Sequence, residues 1–253
     1  MSKKEKKLSK VALITGSAKR IGKEIAIYLH QQGYDIIVHY YQSDVEAKEL
    51  TNSLNLLRQN SSISIKANLS RVEEIHILSN DSIKWKGQIN LLINNASLFK
   101  LNLIGNTTDN EWETIFDSTA KGSYFLAQNL SQELSKSKGL IINILDTKYQ
   151  SPRKGFSLYS MAKSVLAMQT KCFAIDLAPD VRVNGIALGH YKWPESKVYT
   201  SLEKSKVISN IPLKKSGTVS SLSKTIDYII ANEFLTGEII HVDGGQSLNS
   251  FSI

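Results

Sequence analysis

Three residues near the middle of the chain have the types and spacing needed to move a proton. Tyr159 and Lys163 are four positions apart, a separation that places two side chains on one face of a helix. A lysine ammonium beside a phenol is expected to lower the phenol pKa and to make Tyr159 a proton donor and acceptor near neutral pH. Asp146 precedes the tyrosine by thirteen residues. We expect all three to be catalytic, although the Tyr–Lys pair alone does not explain the carboxylate.

Seven short runs of β-branched and apolar residues supply the strands that would position this group. They lie at 10–16, 35–40, 62–68, 89–97, 139–146, 181–188 and 237–245. Several are apolar at successive positions, as in strands that are covered on both faces. Longer amphipathic segments predict helices at 23–33, 46–59, 110–137 and 157–178. The alternation predicts an α/β fold, a single-domain doubly wound parallel sheet of the Rossmann type with helices on both faces.

Composition and charge bound the class of protein. At 253 residues, 42% hydrophobic and 21% charged, the chain suits one large domain with a substantial core. The single cysteine, Cys172, excludes an internal disulfide and fits a reducing compartment, and we expect it to be buried in a helix. No secretory signal and no apolar run of ~20 residues is present, which predicts a cytoplasmic protein. The net charge of +8 comes without a nucleic-acid motif and indicates a lysine-rich surface with a bias toward anionic small molecules.

The domain is expected to span 10–253, after a flexible basic tail at 1–9. The segment 189–217 interrupts the alternation of strands and helices, and we expect it to form a lid over the site. Within it, Tyr191 and Trp193 either cover the substrate or pack in the loop. The five histidines lack metal-ligand spacing, so no metal site is predicted.

The loop between the first strand and the first helix has the features of a pyrophosphate site. Gly16 allows a tight turn and Gly22 lets the helix approach the sheet, so that backbone amides and the helix amino terminus face a phosphate. Position 20 is arginine, unlike the usual three-glycine fingerprint, and an ordinary strand–helix turn is the alternative. In this loop we expect Lys19, Arg20 and Ile21 to contact a dinucleotide cofactor together with the glycines.

The end of the second strand favours NADPH over NADH. An acid at this place would bind the ribose 2′-hydroxyl of NAD and repel a 2′-phosphate. Here His39, Tyr40, Tyr41 and Ser43 come before the first acid, Asp44. Ser43 and the His39–Tyr40 region are predicted to hydrogen-bond the 2′-phosphate, supported by positive charge from the glycine loop. The alternative is that the tyrosines only cap the strand.

Five motifs follow one another in a fixed order along nearly the whole chain. They are "TGSAKRIG" (15–22), "NNAS" (94–97), Tyr159-x-x-x-Lys163, "VRVNGIALG" (181–189) and "TGEIIHVDGG" (236–245). In this order they resemble the short-chain dehydrogenase/reductase family. Arg20 in the glycine loop, "HYYQS", Phe99 after "NNAS" and the acid at 146 are most similar to the pteridine reductases and the bacterial dihydromonapterin reductases of that family.

The resemblance implies roles for particular residues. Tyr159 would donate the proton, and Lys163 would hydrogen-bond the nicotinamide ribose. Phe99 would stack on a flat heterocyclic substrate, Arg20 would reach cofactor phosphate and substrate, and Ser97 would lie near either. Further cofactor contacts are implied for Asn68, Leu69, Asn94, Ala96 and Gly189. Members of the family are usually tetrameric, so a homotetramer is expected.

The sequence departs from the family pattern at three places. A helix asparagine of the common catalytic tetrad is replaced by Thr119, which puts the usual proton relay in doubt. The acid often found near the adenine is Asn68, and the proline-glycine after the sixth strand is Leu188-Gly189. These changes leave one adenine contact and the lid geometry open.

The carboxylate at position 146 is the sharpest clue to the substrate. Most of the family has serine there, whose hydroxyl donates to a ketone oxygen as negative charge develops on it. An ionised carboxylate cannot donate and would repel that charge. A C=N bond instead needs a proton on nitrogen, which a relay through Asp146 and Tyr159 would supply. We therefore predict NADPH-dependent reduction of a dihydropterin of the dihydrobiopterin or dihydromonapterin type, with dihydrofolate as a further candidate substrate.

Other interpretations of this position remain open. In one alternative Asp146 points away and Thr147 supplies the usual hydroxyl. In the other, Asp146 pairs with Lys148 or Arg153 at the surface. A ketone-reducing member of the family, such as a 3-oxoacyl carrier-protein reductase, is the second functional interpretation. A cofactor-binding regulatory protein without turnover is the third, although the Tyr–Lys pair argues against it.

Overall fold

Seven parallel strands form one sheet in the computed structural model, which describes residues 9–152, 154–193 and 199–249. In chain order they are β1 (Val11–Ile14), β2 (Asp35–Tyr40), β3 (Ser62–Lys66), β4 (Leu91–Asn94), β5 (Leu140–Asp146), β6 (Arg182–Leu188) and β7 (Ile239–Val242). Their spatial order is β3-β2-β1-β4-β5-β6-β7, and every pairing is parallel. The predicted α/β class with one doubly wound sheet is confirmed.

Helices cover both faces of the sheet. They are α1 (Arg20–Gln31), α2 (Asp44–Leu57), α3 (Val72–Lys86), α4 (Asp109–Trp112), α5 (Ser118–Lys136), α6 (Ser157–Asp176), α7 (Ser201–Ser209) and α8 (Val219–Ala231). Helices α1, α2 and α8 pack on one face, and α3, α5 and α6 pack on the other. A π-helical turn at Glu113–Asp117 joins α4 to α5. None of the described helices is long and apolar enough to cross a membrane.

The core follows from strands that are apolar on both sides. In β1, Ala12 and Ile14 belong to the cluster under α1, α2 and α8, whereas Val11 and Leu13 belong to the cluster under the opposite helices. All four side chains are fully buried. Successive side chains of a strand point to opposite faces, so an uninterrupted apolar run is stable only between two helical layers. Burial of each large aliphatic side chain contributes roughly 1.5–3 kcal/mol.

The strand order creates a crevice at one edge of the sheet. The chain winds outward from β1 through β2 to β3, and it then returns to β4 on the other side of β1 and continues to β7. Crossovers on the two sides of this point lie on opposite faces, so the loops that leave β1 and β4 diverge. Ligands of doubly wound sheets bind outside the carboxyl ends of the strands at such a switch point.

Several elements differ from the sequence-based expectation. Helices α3 and α8 were not among the predicted segments, and in α3 the apolar stripe is diluted because Ser79 and Ser82 occupy buried positions. The predicted helix 110–137 is divided by the π-helical turn. Cys172 is exposed on α6, so its predicted burial is wrong: it precedes the buried Phe173 and faces away from the sheet.

The two predicted flanking segments are described only in part. Residues 1–8 of the tail lie outside the described residues. The segment 189–217 contains α7, which begins at a capping box formed by Thr200 and Glu203, and residues 194–198 lie outside the description. The lid therefore stays a prediction, but its middle part, Ser201–Ser209, is helical rather than irregular.

Candidate active site

A cleft of about 1220 Å³ lies at the carboxyl ends of the strands. The predicted residues that line it come from the glycine loop (Gly16, Lys19, Arg20, Ile21, Gly22) and the end of β2 (His39, Tyr41, Ser43). Others follow β3 (Asn68, Leu69) and β4 (Ala96, Ser97, Phe99), end β5 (Asp146), lie on α6 (Tyr159, Lys163) or follow β6 (Gly189). Tyr40 and Asn94 are the predicted residues that do not line the cleft.

The glycine loop approaches the sheet as closely as its glycines allow. Gly16 has φ +61°, and a Cβ on Gly22 would lie 2.4 Å from the Gly16 carbonyl oxygen, so both positions require glycine. Arg20 also has a left-handed backbone, with φ +51°. For a residue with a side chain this conformation costs roughly 1–2 kcal/mol. This cost explains why the family pattern has glycine at this position. Arg20 is the first residue of α1 and lines the cleft.

His39 holds the glycine loop in place through hydrogen bonds of both ring nitrogens. The Gly16 N–H donates to Nδ1 at 3.0 Å, and the second ring nitrogen, Nε2, lies 3.0 Å from the Ala67 carbonyl oxygen. Because Nδ1 accepts, Nε2 carries the proton and donates to that carbonyl. Burial lowers the pKa of His39 from 6.5 to about 4, so the ring is neutral at pH 7. The expectation that His39 hydrogen-bonds a phosphate is corrected: both nitrogens are already used to join the loop to β2 and β3.

The end of β2 separates its two tyrosines. Tyr40 is buried, and its hydroxyl donates to the Asp44 carboxylate at 2.6 Å. The predicted cofactor contact of Tyr40 is therefore corrected: its side chain links the end of β2 to the start of α2. Tyr41 is exposed and lines the cleft with Ser43. Glu46, in the first turn of α2, forms an ion pair with Lys19 at 2.6 Å. The positive charge expected from Lys19 is therefore shared with an acid.

The two asparagines of the "NNAS" motif point in different directions, one into the sheet and one toward the glycine loop. Asn94 is buried at the end of β4, and its Nδ2 donates to the Asn143 Oδ1 on β5 at 2.8 Å. Its predicted contact with the cofactor is corrected, because alternate strand residues point to opposite faces. Asn95, which was not predicted, donates to the Thr15 carbonyl oxygen at 2.8 Å and lines the cleft. It ties β4 to the glycine loop, and its place in the motif was the available signal.

The proton-moving group is assembled by β5 and α6. The Tyr159 hydroxyl donates to Oδ2 of Asp146 at 3.0 Å, and Oδ1 of Asp146 accepts the Lys148 backbone N–H at 2.8 Å. The Lys163 ammonium donates to the Ile144 carbonyl oxygen at 2.7 Å. Tyr159 and Lys163 are both buried, whereas Asp146 is half-buried. The structure thus brings together the three residues that the spacing singled out.

The electrostatics of the pair differ from the expectation. Burial and the charge of Asp146 raise the pKa of Tyr159 well above 10, against smaller lowering effects of Ser97 and Arg20. Burial lowers the pKa of Lys163 to about 8, partly offset by Asp146. The prediction that the ammonium lowers the phenol pKa is wrong in this state, because removal of water from the phenolate and the nearby carboxylate dominate. Tyr159 is held as a protonated donor.

Aromatic rings lie beside the phenol. Phe99 stacks on Phe156, with ring centroids 4.3 Å apart, and is nearly perpendicular to Tyr159 at 5.0 Å. Thr119, at the place of the family asparagine, is buried on α5 and does not line the cleft. Thr147 does line it, although the Tyr159 hydroxyl is directed to the carboxylate.

The far wall of the cleft begins where β6 ends. A Cβ on Gly189 would lie 2.7 Å from the Asp243 Cα, so a glycine is required beside the turn after β7. The next residue, His190, lines the cleft and packs against Trp193, with ring centroids 4.1 Å apart. The Tyr191 hydroxyl donates to Glu24 of α1 at 2.9 Å. This bond fastens the base of the predicted lid to the first helix.

Comparison with known proteins decides the family. A family model described as enoyl-(acyl carrier protein) reductase matches residues 16–247. Pteridine reductase 1 of Leishmania tarentolae is 30% identical over 281 residues, covering 94% of this chain and 96% of the relative. The chain belongs to the short-chain dehydrogenase/reductase family. It is accordingly an oxidoreductase, and members of this family use NAD(P)H.

Other relatives within the family carry a different printed activity. The 3-oxoacyl-[acyl-carrier-protein] reductase of Staphylococcus epidermidis is 28% identical over 243 residues, covering 94% of this chain and 99% of the relative. The corresponding protein of Buchnera aphidicola is 30% identical over 245 residues, covering 95% and 98%. Identity of this size does not separate the two kinds of reductase. The substrate has to be argued from the site.

Proposed function

We propose that this protein reduces a dihydropterin to the tetrahydropterin with NADPH. The observation that carries the proposal is the hydrogen bond from the Tyr159 hydroxyl to Asp146 in a cleft that Phe99 also lines. A carboxylate next to the donor suits delivery of a proton to nitrogen, and an aromatic ring suits a flat heterocycle. A homotetramer in the cytoplasm is part of the same proposal, supported by family membership and by exposed apolar residues on α6 such as Met161, Met168 and Ile175.

The cleft has a cradle that fits a dinucleotide. Gly16 and Gly22 let the loop backbone lie close to the sheet, and the first residues of α1 border the cleft. The backbone amides at a helix amino end favour a phosphate. Ser43 and Lys19, at the cleft end beside β2, support a 2′-phosphate and hence NADPH. NADPH would supply the hydride. The buried Lys163, charged below about pH 8, would hold the ribose.

The remaining half of the reduction is a proton transfer, which the residues of this chain can perform. Reduction of C=N adds hydride to carbon and a proton to nitrogen. Tyr159 is protonated in this environment and would release its proton only as nitrogen becomes basic. Asp146 accepts from the phenol with one oxygen and is half-buried, so it would relay a replacement proton from solvent. The same carboxylate would accept N–H groups of the pterin.

The alternative substrate is a 3-oxoacyl thioester. It is favoured by the relatives that carry this activity and by the Thr147 hydroxyl in the cleft, which could donate to a ketone oxygen. Against it, the Tyr159 hydroxyl is directed to a carboxylate that repels a developing oxyanion. Lys148 binds Asp146 through its backbone N–H, whereas Arg153, the other suggested partner, lies outside the described residues.

A side-by-side assay separates these substrates. Oxidation of NADPH would be followed with dihydrobiopterin, dihydromonapterin, dihydrofolate and an acetoacetyl thioester, and NADH would replace NADPH in a parallel series. We expect turnover of at least one dihydropterin, with NADPH preferred. Turnover of the thioester alone would refute the proposal.

The variant Asp146→Ser tests the residue on which the assignment depends. Loss of the proton relay should lower kcat for a dihydropterin by about 10²-fold or more. NADPH binding, measured by fluorescence titration, should remain within about twofold of wild type, since Asp146 acts on the proton and not on the phosphate loop. Asp180→Asn is the matched control, because this acid pairs with Lys138 at the opposite end of the sheet. Unchanged turnover in Asp146→Ser would refute the role of Asp146 in proton transfer.

A further inference from the structure

The ring of Phe99 stacks on a second ring, which belongs to the residue just before the catalytic helix α6. Phe99 and Phe156 are nearly parallel, with planes 12° apart and centroids 4.3 Å apart. Phe99 lines the cleft, whereas Phe156 lies behind it and packs in a small cluster with Ile115, Leu158 and Tyr159. One side of Phe99 is therefore covered by Phe156, and its remaining surface borders the cleft. Phe156 directly precedes α6, three residues before Tyr159.

The loop that carries Phe99 has little packing of its own. From 98 to 110 every described side chain is exposed except Asn102, which is 4% exposed. Apolar residues in this loop, such as Leu101 and Ile104, are exposed as well. A loop whose side chains are almost all exposed gains little stability from apolar packing of its own. The points at which it is attached to the rest of the protein therefore matter for its position.

Asn102 makes that attachment, and it makes it to the start of α6. Its backbone N–H donates to the Gly155 carbonyl oxygen at 2.7 Å, and it forms a parallel bridge with Phe156. Its side-chain Nδ2 donates to Thr107 Oγ1 at 2.9 Å, which closes the loop on itself. The Ser157 hydroxyl donates to its Oδ1 at 3.4 Å. The loop is thus bound to Gly155, Phe156 and Ser157, the residues that lead into the catalytic helix.

We propose that Phe156 and Asn102 are positioning residues that hold the substrate-facing ring at a fixed separation from the proton donor. This inference rests on the proposed function, because it takes Phe99 as the ring on which a planar heterocycle stacks. When a substrate stacks on Phe99, the position of that ring sets the position of the reacting nitrogen. The proton comes from a different element, Tyr159 on α6. Rigid attachment of the ring to α6 keeps the nitrogen within reach of the hydroxyl. Loss of this orientation lowers kcat, since small displacements from the reactive geometry are costly.

The variants Phe156→Leu and Phe156→Tyr separate positioning from simple packing. Leucine keeps an apolar side chain but removes the stacked ring, and tyrosine keeps the ring. With the dihydropterin that wild type turns over best, we expect Phe156→Leu to lower kcat/KM by about three- to tenfold, the equivalent of one aromatic pair. Affinity for NADPH should stay within about twofold, and Phe156→Tyr should restore most of the loss. Asn102→Ala should lower kcat/KM in the same direction, because Thr107 and Ser157 lose their partner.

The control and the opposing outcomes are defined by the same assay. Phe125→Leu makes the same chemical change on α5, where the ring meets Tyr124 instead of the cleft, and it should leave kcat/KM unchanged. If Phe156→Leu has wild-type kcat/KM, or if it weakens NADPH binding equally and tyrosine does not restore activity, the positioning role is refuted. Absence of wild-type turnover with every dihydropterin would instead refute the proposed function, and this inference with it.

Discussion

Acidification is expected to weaken the cofactor loop, because His39 must lose a hydrogen bond when it is protonated. Its Nδ1 accepts the Gly16 N–H, and burial lowers its pKa from 6.5 to about 4. Between these two pH values the unfolded chain binds a proton at His39 that the folded chain does not bind. The contribution is therefore complete above pH 6.5 and is lost as the pH falls toward 4. At about 1.4 kcal/mol per pH unit, the loss by pH 4.5 is about 2.5 kcal/mol.

Urea unfolding at a series of pH values from 7.5 to 4.5 measures this effect against His39→Asn. The asparagine cannot titrate, but its Oδ1 is able to accept from Gly16. The stability advantage of wild type over His39→Asn should shrink by about 2.5 kcal/mol across the series. His76→Gln, a change at an exposed histidine of α3, controls for general effects of removing an imidazole. A difference between wild type and His39→Asn that does not change with pH would refute the reasoning.

Two further predictions concern the charges around the same loop. Arg20→Gly should raise the free energy of unfolding by about 0.5–1 kcal/mol, since it relieves a left-handed backbone, and should weaken NADPH binding about tenfold by removing a cation. Urea unfolding and fluorescence titration measure these effects, and tighter or equal NADPH binding would contradict the second. Glu46→Gln should lower KM for NADPH about two- to threefold with KM for NADH unchanged, because it releases Lys19 from a partly exposed ion pair. Glu49→Gln on the same helix is the control, and an equal effect on both cofactors would argue against this role.

Much of the fold follows from local sequence. All seven strands were predicted, because each is a short apolar run that only a two-sided parallel sheet can bury. Helix α3 was missed because two of its buried positions are serines, which weaken the apolar periodicity of the segment. Whether a serine is buried depends on its tertiary surroundings. The π-helical turn before α5 was missed because hydrophobic spacing does not encode a single extra residue in a turn.

The sequence by itself determined that Asp146, Tyr159 and Lys163 meet at the carboxyl edge of the sheet. The four-residue spacing of Tyr159 and Lys163 and the place of Asp146 at a strand end are enough to bring these groups together. Only the tertiary structure decided how they behave. Burial and the facing carboxylate raise the phenol pKa, where spacing alone suggested the opposite. His39 and Asn94 likewise became supports rather than ligand contacts, because desolvation and side-chain direction depend on neighbours that are distant in sequence.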